Sequence, residues 1–202
     1  MSQRFRPTDA FVDESIRGQR YLMGCVLVEA RSLPFVRPLV ESLALHGGRV
    51  HFHNESARRR RLILGAFAEL PVEAMVVIAQ RRHGVTLFDA RERCVSWIVD
   101  AVQSRAVPRL VIESRHDDSD DERTIRQARR HEPHMVFEHR LAAEEAMLWI
   151  ADGVTWAVGQ VPRGPALSNQ YSRQSSKFSP DAQRPVPLPS GRQPVPLPQA
   201  LA

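Results

Sequence analysis

The sequence predicts an α/β domain over residues 1–161, a mixed sheet flanked by helices, followed by a separate proline-rich segment over 162–202. Three observations predict it. Apolar runs of strand length open the chain as a pair and then alternate with stretches of helical period. The composition, 43% hydrophobic and 25% charged, supplies enough apolar surface for a core. After Val161 the composition shifts: residues 162–202 hold nine of the 15 prolines, and RPVPLP at 184–189 recurs as QPVPLP at 193–198. Such a stretch builds no core and is expected to be a disordered tail of polyproline II character. It reads as a passive tail or as a docking motif for a protein partner.

The elements follow in order. Residues 8–14 (TDAFVDE) and 20–29 (RYLMGCVLVE) read as two strands joined through 15–19 as a hairpin, the second apolar almost throughout and therefore covered on both faces. Ser32 caps a predicted helix over 33–46, with Pro34 and Pro38 near its start. Residues 49–53 (RVHFH) read as a third strand, and Asn54 as the cap of a helix over 55–69. A fourth strand is predicted at 73–81. Thr86 and Asp89 then form a capping-box pattern before a helix through 103, whose apolar positions recur at helical spacing. Residues 108–114 predict a fifth strand, the acidic run HDDSDDE opens a polar helix to about 131, and 134–138 predicts a sixth strand. The last helix is expected over 141–158. A hairpin, a further strand and then strand–helix alternation is the element order of the ribonuclease H superfamily, up to an extra helix between the second and third strands.

The net charge of +5 does not identify a basic binding face. From Gly164 onward, Arg173, Lys177, Arg184 and Arg192 against Asp181 carry three of those charges. Cys25 and Cys94 sit in apolar segments without a nearby Cys or His at metal spacing, and read as buried free thiols of a reducing compartment. No apolar run approaches the ~20 residues of a membrane span, and the polar N-terminus lacks a signal-peptide core, so a cytoplasmic protein is expected. Oligomeric state is not legible.

Candidate chemistry lies in the carboxylates. Asp13-Glu14 closes the first strand and Glu113 the fifth, and sites in such sheets form at the carboxyl ends of parallel strands. If these strands are parallel neighbours, Asp13 and Glu113 stand side by side. Carboxylates that close need compensation, which Mg²⁺ or Mn²⁺ supplies. Asp152 lies inside the apolar stretch LWIADGVTWAV. A buried carboxylate is costly without a partner, and a metal shared with Asp13 and Glu113 is one candidate. Glu145, seven residues earlier, is expected on the same helix face. The alternatives are ordinary: Asp13 as a turn cap, Glu113 paired with Arg115, Asp152 paired with an arginine of a neighbouring helix.

The segments FVDES (11–15) with YLMGCVLV, RVHFHNES (49–56) with its arginine-rich helix, LVIESR (110–115) with DDSDDER, and LWIADGVTWAV (148–158) resemble the family called domain of unknown function 3800. That family is a ribonuclease H-like group, and the resemblance spans about residues 8–160. It implies a metal-dependent nuclease or phosphodiesterase. Asp13, Glu14, Glu113 and Asp152 would be the metal ligands, Asp13, Glu113, Asp152 and His51 the catalytic set, and nucleic acid the partner. Three positions depart from the family pattern: Ile16 stands where Gly is usual, Glu113 where Asp is frequent, and Trp149 where Gln is frequent. A non-catalytic module of the same fold, binding nucleic acid or a protein, and a small-molecule phosphate enzyme on that fold are the alternatives.

Other groups are open to two readings each. His51 and His53 share a face if 49–53 is a strand, and with Glu55 form either a metal or general-base site or a set of hydrogen-bonded surface histidines. Arg58 to Arg61 open a helix and suit phosphate or a solvated face. Asp117, Asp118, Asp120, Asp121 and Glu122 suit a helix N-terminus, with Asp117 or Asp121 as outer metal ligands.

Overall fold

The computed structural model describes residues 5–46, 48–81, 83–116 and 118–161. The proline-rich tail expected at 162–202 and Asp117 lie outside the described residues. Five strands form one sheet: β1 (Asp9–Arg17), β2 (Arg20–Val28), β3 (Val72–Gln80), β4 (Arg109–Glu113) and β5 (Val136–Arg140). Their order is β3-β2-β1-β4-β5. The β1–β2 and β2–β3 pairs are antiparallel, and the β1–β4 and β4–β5 pairs are parallel. The expected hairpin is present, but β1 runs on to Arg17, so the turn is only Gly18 and Gln19, with Gly18 at φ 57°. That left-handed conformation suits glycine.

The helices are α1 (Leu33–Glu41), α2 (Ala57–Ala68), α3 (Leu87–Ser104), α4 (Asp118–Ala128) and α5 (Met147–Gln160). Strand alternation divides them into two layers. Phe11, Leu22, Val26, Val76 and Val111 face one side, where they pack with α1, α2 and α5. Ala10, Val12, Met23, Cys25, Leu110 and Ile112 face the other, under α3 and α4. Both cysteines are free and buried, as the sequence predicts, and burial pushes each thiol up to about 12. The capping box at Thr86 and Asp89 is formed in full. Among the described residues no helix is long and apolar enough to cross a membrane.

Several expectations need correction. The cap of α2 is Ser56, whose hydroxyl accepts from the Arg59 amide, not Asn54, and Ser32 makes no side-chain cap bond to α1. Residues 49–53 are not a strand: 48–51 is irregular and 52–54 turns. Its backbone polar groups are met by side chains instead of a ladder, Phe52 N–H by Asp152 and the Phe52 and His53 carbonyls by Arg60. The last helix begins at Met147, not 141, because Leu141 to Ala146 form turns closed by bonds such as Glu145 N–H to the Leu141 carbonyl. The helix predicted over 33–46 stops at Glu41, with Ser42 N–H still bonded to the Pro38 carbonyl and turns beyond.

One glycine determines how closely α5 meets the sheet. The helix lies across β1 and β2 and approaches at Gly24, the residue opposite Asp13 in the ladder. A Cβ at Gly24 would come within 2.7 Å of Thr155 Cγ2 and 3.0 Å of the Ala151 carbonyl oxygen. Only glycine lets the helix sit this close, and that brings Asp152 down beside the end of β1.

Candidate functional site

Asp13 is the last core-facing residue of the central strand and is only 7% exposed. Odd-numbered residues of β1 and of β4 point toward α5, so Asp13 and Glu113 share that face. The parallel register, with Val12 beside Ile112, makes the two carboxylates neighbours. Asp152 reaches the same place from α5. The three line one cleft of about 290 Å³ together with Arg17, Arg49, His51, His53, Leu148 and Trp149.

The electrostatics of the floor are unbalanced. Burial raises Asp13 well above the ordinary carboxylate range, and proton-sharing contact with Glu113 and the charges of Glu113, Asp152 and Glu14 raise it further. Its Oδ1 accepts one hydrogen bond from the Glu14 amide at 2.6 Å. Burial also raises Asp152, opposed by the Phe52 N–H donated to its Oδ2 at 2.9 Å and by His51 and Arg49. Arg49 sits 3.6 Å from Glu113 across the mouth. Neither expected ordinary partner is used: Arg115 does not pair with Glu113 but with Glu14, and Asp152 pairs with a backbone amide instead of a helix arginine. Two buried nitrogens in this cleft, Arg17 Nε and His51 Nδ1, have no hydrogen-bond partner among the described residues.

The structure separates Glu14 from this group. It is among the residues lining the cleft, but as an even-numbered residue of β1 it turns its carboxylate to the other face, where Arg91 and Arg115 bind it. Strand alternation is the reason, and its assignment as a metal ligand is corrected accordingly. Glu145 does not extend the cluster either, because it precedes α5. Its carboxylate takes Arg37 Nε at 3.1 Å and Arg37 Nη2 at 2.9 Å, and also the Met147 amide. His51 and His53 both line the cleft, their rings edge-on at 6.2 Å between centroids. Glu55 is engaged by Arg59. Asp121 belongs to the Glu14 side, bound by Arg91 at 2.5 and 2.7 Å, and is no outer ligand of the Asp13 cluster.

The donor chemistry of Asp13, Glu113 and Asp152, all oxygen and with no cationic partner at Asp13, fits a hard divalent cation. Among the described residues, however, no three His, Cys, Asp or Glu side chains are grouped closely enough to hold a metal ion as they stand. Sequence reasoning missed Arg17 and Arg49 as cleft residues. Arg17 was findable, since it lies four residues beyond Asp13 on the same strand face. Arg49 was not, because its loop has no regular period.

No family model matches the chain, and no curated protein does. Solved structures are similar in fold. Ribonuclease H2 from Pyrococcus horikoshii OT3 matches with a TM-score of 0.53 and 16% identity, over 74% of this chain and 71% of that one. A glutamine-to-alanine point mutant of Bst-RNase HIII gives 0.49 and 11%, and Bst-RNase HIII in complex with Mn²⁺ gives 0.48 and 12%. This chain spans about half (52%) of each of those two. The chain has the ribonuclease H-like fold that its element order predicts.

Proposed function

We propose that the cleft is the active site of a divalent-cation-dependent nuclease or phosphodiesterase, with Asp13, Glu113 and Asp152 as the residues that hold Mg²⁺ or Mn²⁺. We propose further that the chain belongs with the domain of unknown function 3800 family that it resembles. One observation carries the reading: the buried Asp13 carboxyl meets Glu113 and Asp152 on its own face, and no cationic side chain among the described residues is bonded to it. Buried acids crowded in this way need a positive partner. A divalent cation bound there would activate a water and stabilise the leaving oxygen of a phosphodiester.

The remaining residues have separable tasks. The Glu14 amide fixes the Asp13 rotamer. The Phe52 amide keeps one lone pair of Asp152 occupied and so orients the other oxygen. His51 Nδ1, buried and unpartnered among the described residues, can exchange a proton with a bound substrate or water. Arg17 and Arg49 supply positive charge for phosphate at the edge of the cleft. Leu148 and Trp149 form its apolar wall, with Trp149 Nε1 tied to the Ala142 carbonyl at 2.6 Å.

The test is cleavage of single-stranded and duplex DNA and RNA, and of hybrids, with Mg²⁺ and with Mn²⁺. Asp13→Asn should reduce turnover by orders of magnitude, and His51→Ala by about 10²–10⁴-fold. Activity undiminished in purified Asp13→Asn removes the proposal. A second reading has its own support: the carboxylates are not grouped to hold a metal as they stand, and Ile16 departs from the family pattern. On that reading the domain binds nucleic acid or a protein without cleaving. A wild type that retains nucleic acid but cuts no substrate favours it.

A further inference from the structure

The arginine run at 58–61 has a division of labour that the sequence does not suggest. Arg58 and Arg61 are exposed. Arg59 turns back to Glu55 and to the Leu43 carbonyl at 2.6 Å. Arg60 instead donates from Nε to the Phe52 carbonyl at 2.7 Å and from Nη2 to the His53 carbonyl at 2.8 Å. Its guanidinium also lies over the Trp156 ring, 4.7 Å from the centroid.

These contacts close a circuit through Asp152. Trp156 is one helical turn beyond Asp152 on α5. The Phe52 ring packs against Trp156 and Phe67, each at 6.0 Å between centroids. Gly153 leaves the space for it: a Cβ there would come within 2.7 Å of the Phe52 ring. The Phe52 amide, whose own carbonyl Arg60 holds, donates to Asp152 Oδ2. One arginine thus ties an irregular loop to the helix that carries Asp152, through both carbonyls at the point where the loop turns.

We propose that Arg60 is a positioning residue. It holds the 49–54 loop so that the Phe52 amide stays on Asp152, and so fixes the Asp152 carboxylate in the cleft. The consequence for cation binding rests on the proposed function; the consequence for the loop does not. Lysine cannot replace it, since an ammonium lacks the planar fork that reaches two carbonyls while stacking on a ring.

The experiment uses the full chain and reads amide hydrogen exchange at Phe52 together with Mn²⁺ affinity. Wild type should protect the Phe52 amide, and Asp152→Ala should release it by removing the acceptor. Arg60→Ala should accelerate exchange at Phe52 by about tenfold relative to the Val12 and Val26 amides of the sheet, the loss expected for about one hydrogen bond. It should also weaken Mn²⁺ binding by about 10–100-fold, as loss of an outer support of a ligand does. Arg58→Ala should change neither. If Arg60→Ala does not fold, Arg60→Lys, which keeps the charge but not the fork, is judged on the same readouts. Unchanged Phe52 protection in a folded Arg60 variant overturns the proposal. So does lost protection with Mn²⁺ affinity intact, since Asp152 would then hold its place without the loop. If the wild type binds no Mn²⁺, the cation reading fails by itself, and Phe52 exchange alone decides the role of Arg60.

Discussion

Asp13 and Glu14 are consecutive, both carboxylates, both largely withdrawn from water, and they face opposite electrostatic situations. Around Glu14, burial leaves the carboxyl raised, but Arg91 and Arg115 pull it part of the way back. Arg91 also binds both oxygens of Asp121 and the Tyr21 hydroxyl at 2.9 Å, and His139 Nε2 lies 3.4 Å from Asp121. Burial pushes Asp121 up, and His139 and Arg91 outweigh it and hold the group low. Around Asp13, burial raises the carboxyl and the next influences are all further acids. One face of the strand end is a closed ion network that satisfies itself. The other lacks its counter-charge. The difference separates a structural cluster from a site that awaits a ligand, although the two acids are neighbours in the chain and alike in chemistry and depth.

The largest effect should come from breaking the closed network. Arg91 has a side chain only 11% exposed and serves Glu14, Asp121 and Tyr21 together. Arg91→Met leaves two acids buried without their main partner and should cost about 3–5 kcal/mol. Urea unfolding measures it. A cost below about 1 kcal/mol would show that this face is no more integrated than an exposed ion pair and would erase the contrast.

The second effect sharpens the contrast from the ligand side. Mn²⁺ at about a hundredfold excess over its Kd should raise stability by roughly 2.7 kcal/mol if it binds only the folded protein. The increment should vanish in Asp13→Asn. It should persist in Glu14→Gln, whatever that substitution costs in baseline stability, because Glu14 points away from the cluster. Thermal melts of the three proteins with and without Mn²⁺ decide this. An increment lost in Glu14→Gln would return Glu14 to the metal site, against the geometry.

How much of this was legible depends on where periodicity operates. The sheet, its two layers and the meeting of Asp13 with Glu113 depend on strands whose apolar runs are plain in the sequence. The separation of Asp13 from Glu14 was legible too, since a period of two puts adjacent residues on opposite faces, yet adjacency in sequence suggested a shared site. Residues 49–53 misled for a definite reason. Val50 and Phe52 are buried while His51 and His53 line the cleft, which is strand-like alternation. Whether such a segment joins a ladder depends on partners for its backbone, and here Arg60 and Asp152, eight and a hundred residues away from Phe52, supply them. Arg91 was invisible in the same way: it is one charge among many on α3 until α4 and β1 close around it.

The smallest effect is also the most specific, because its sign is set by the lack of counter-charge. The folded protein holds the Asp13 proton more tightly than the unfolded chain does, since the carboxyl is raised above its ordinary value of 3.8. Below 3.8 the group is protonated in both states, and its contribution to stability is fully present. As pH rises from there through the folded value, the unfolded chain ionises first and that contribution is lost. Asp121, held low, has the opposite sign: its contribution is present above the ordinary value and is lost as pH falls through the folded value. Asp13→Asn abolishes the first titration and leaves the second. The introduced amide can still accept from the Glu14 N–H and can donate to Glu113. Without metal at about pH 7, the variant should therefore be more stable than wild type by about 1 kcal/mol, the ordinary scale of a single substitution. That advantage should shrink steadily toward pH 3.8. Chemical denaturation of both proteins in a chelator, across roughly pH 3.5 to 8, gives the difference directly. A variant less stable than wild type near neutral pH, or an advantage that grows as pH falls, would mean that Asp13 already has a positive partner within the protein and that the two faces are alike.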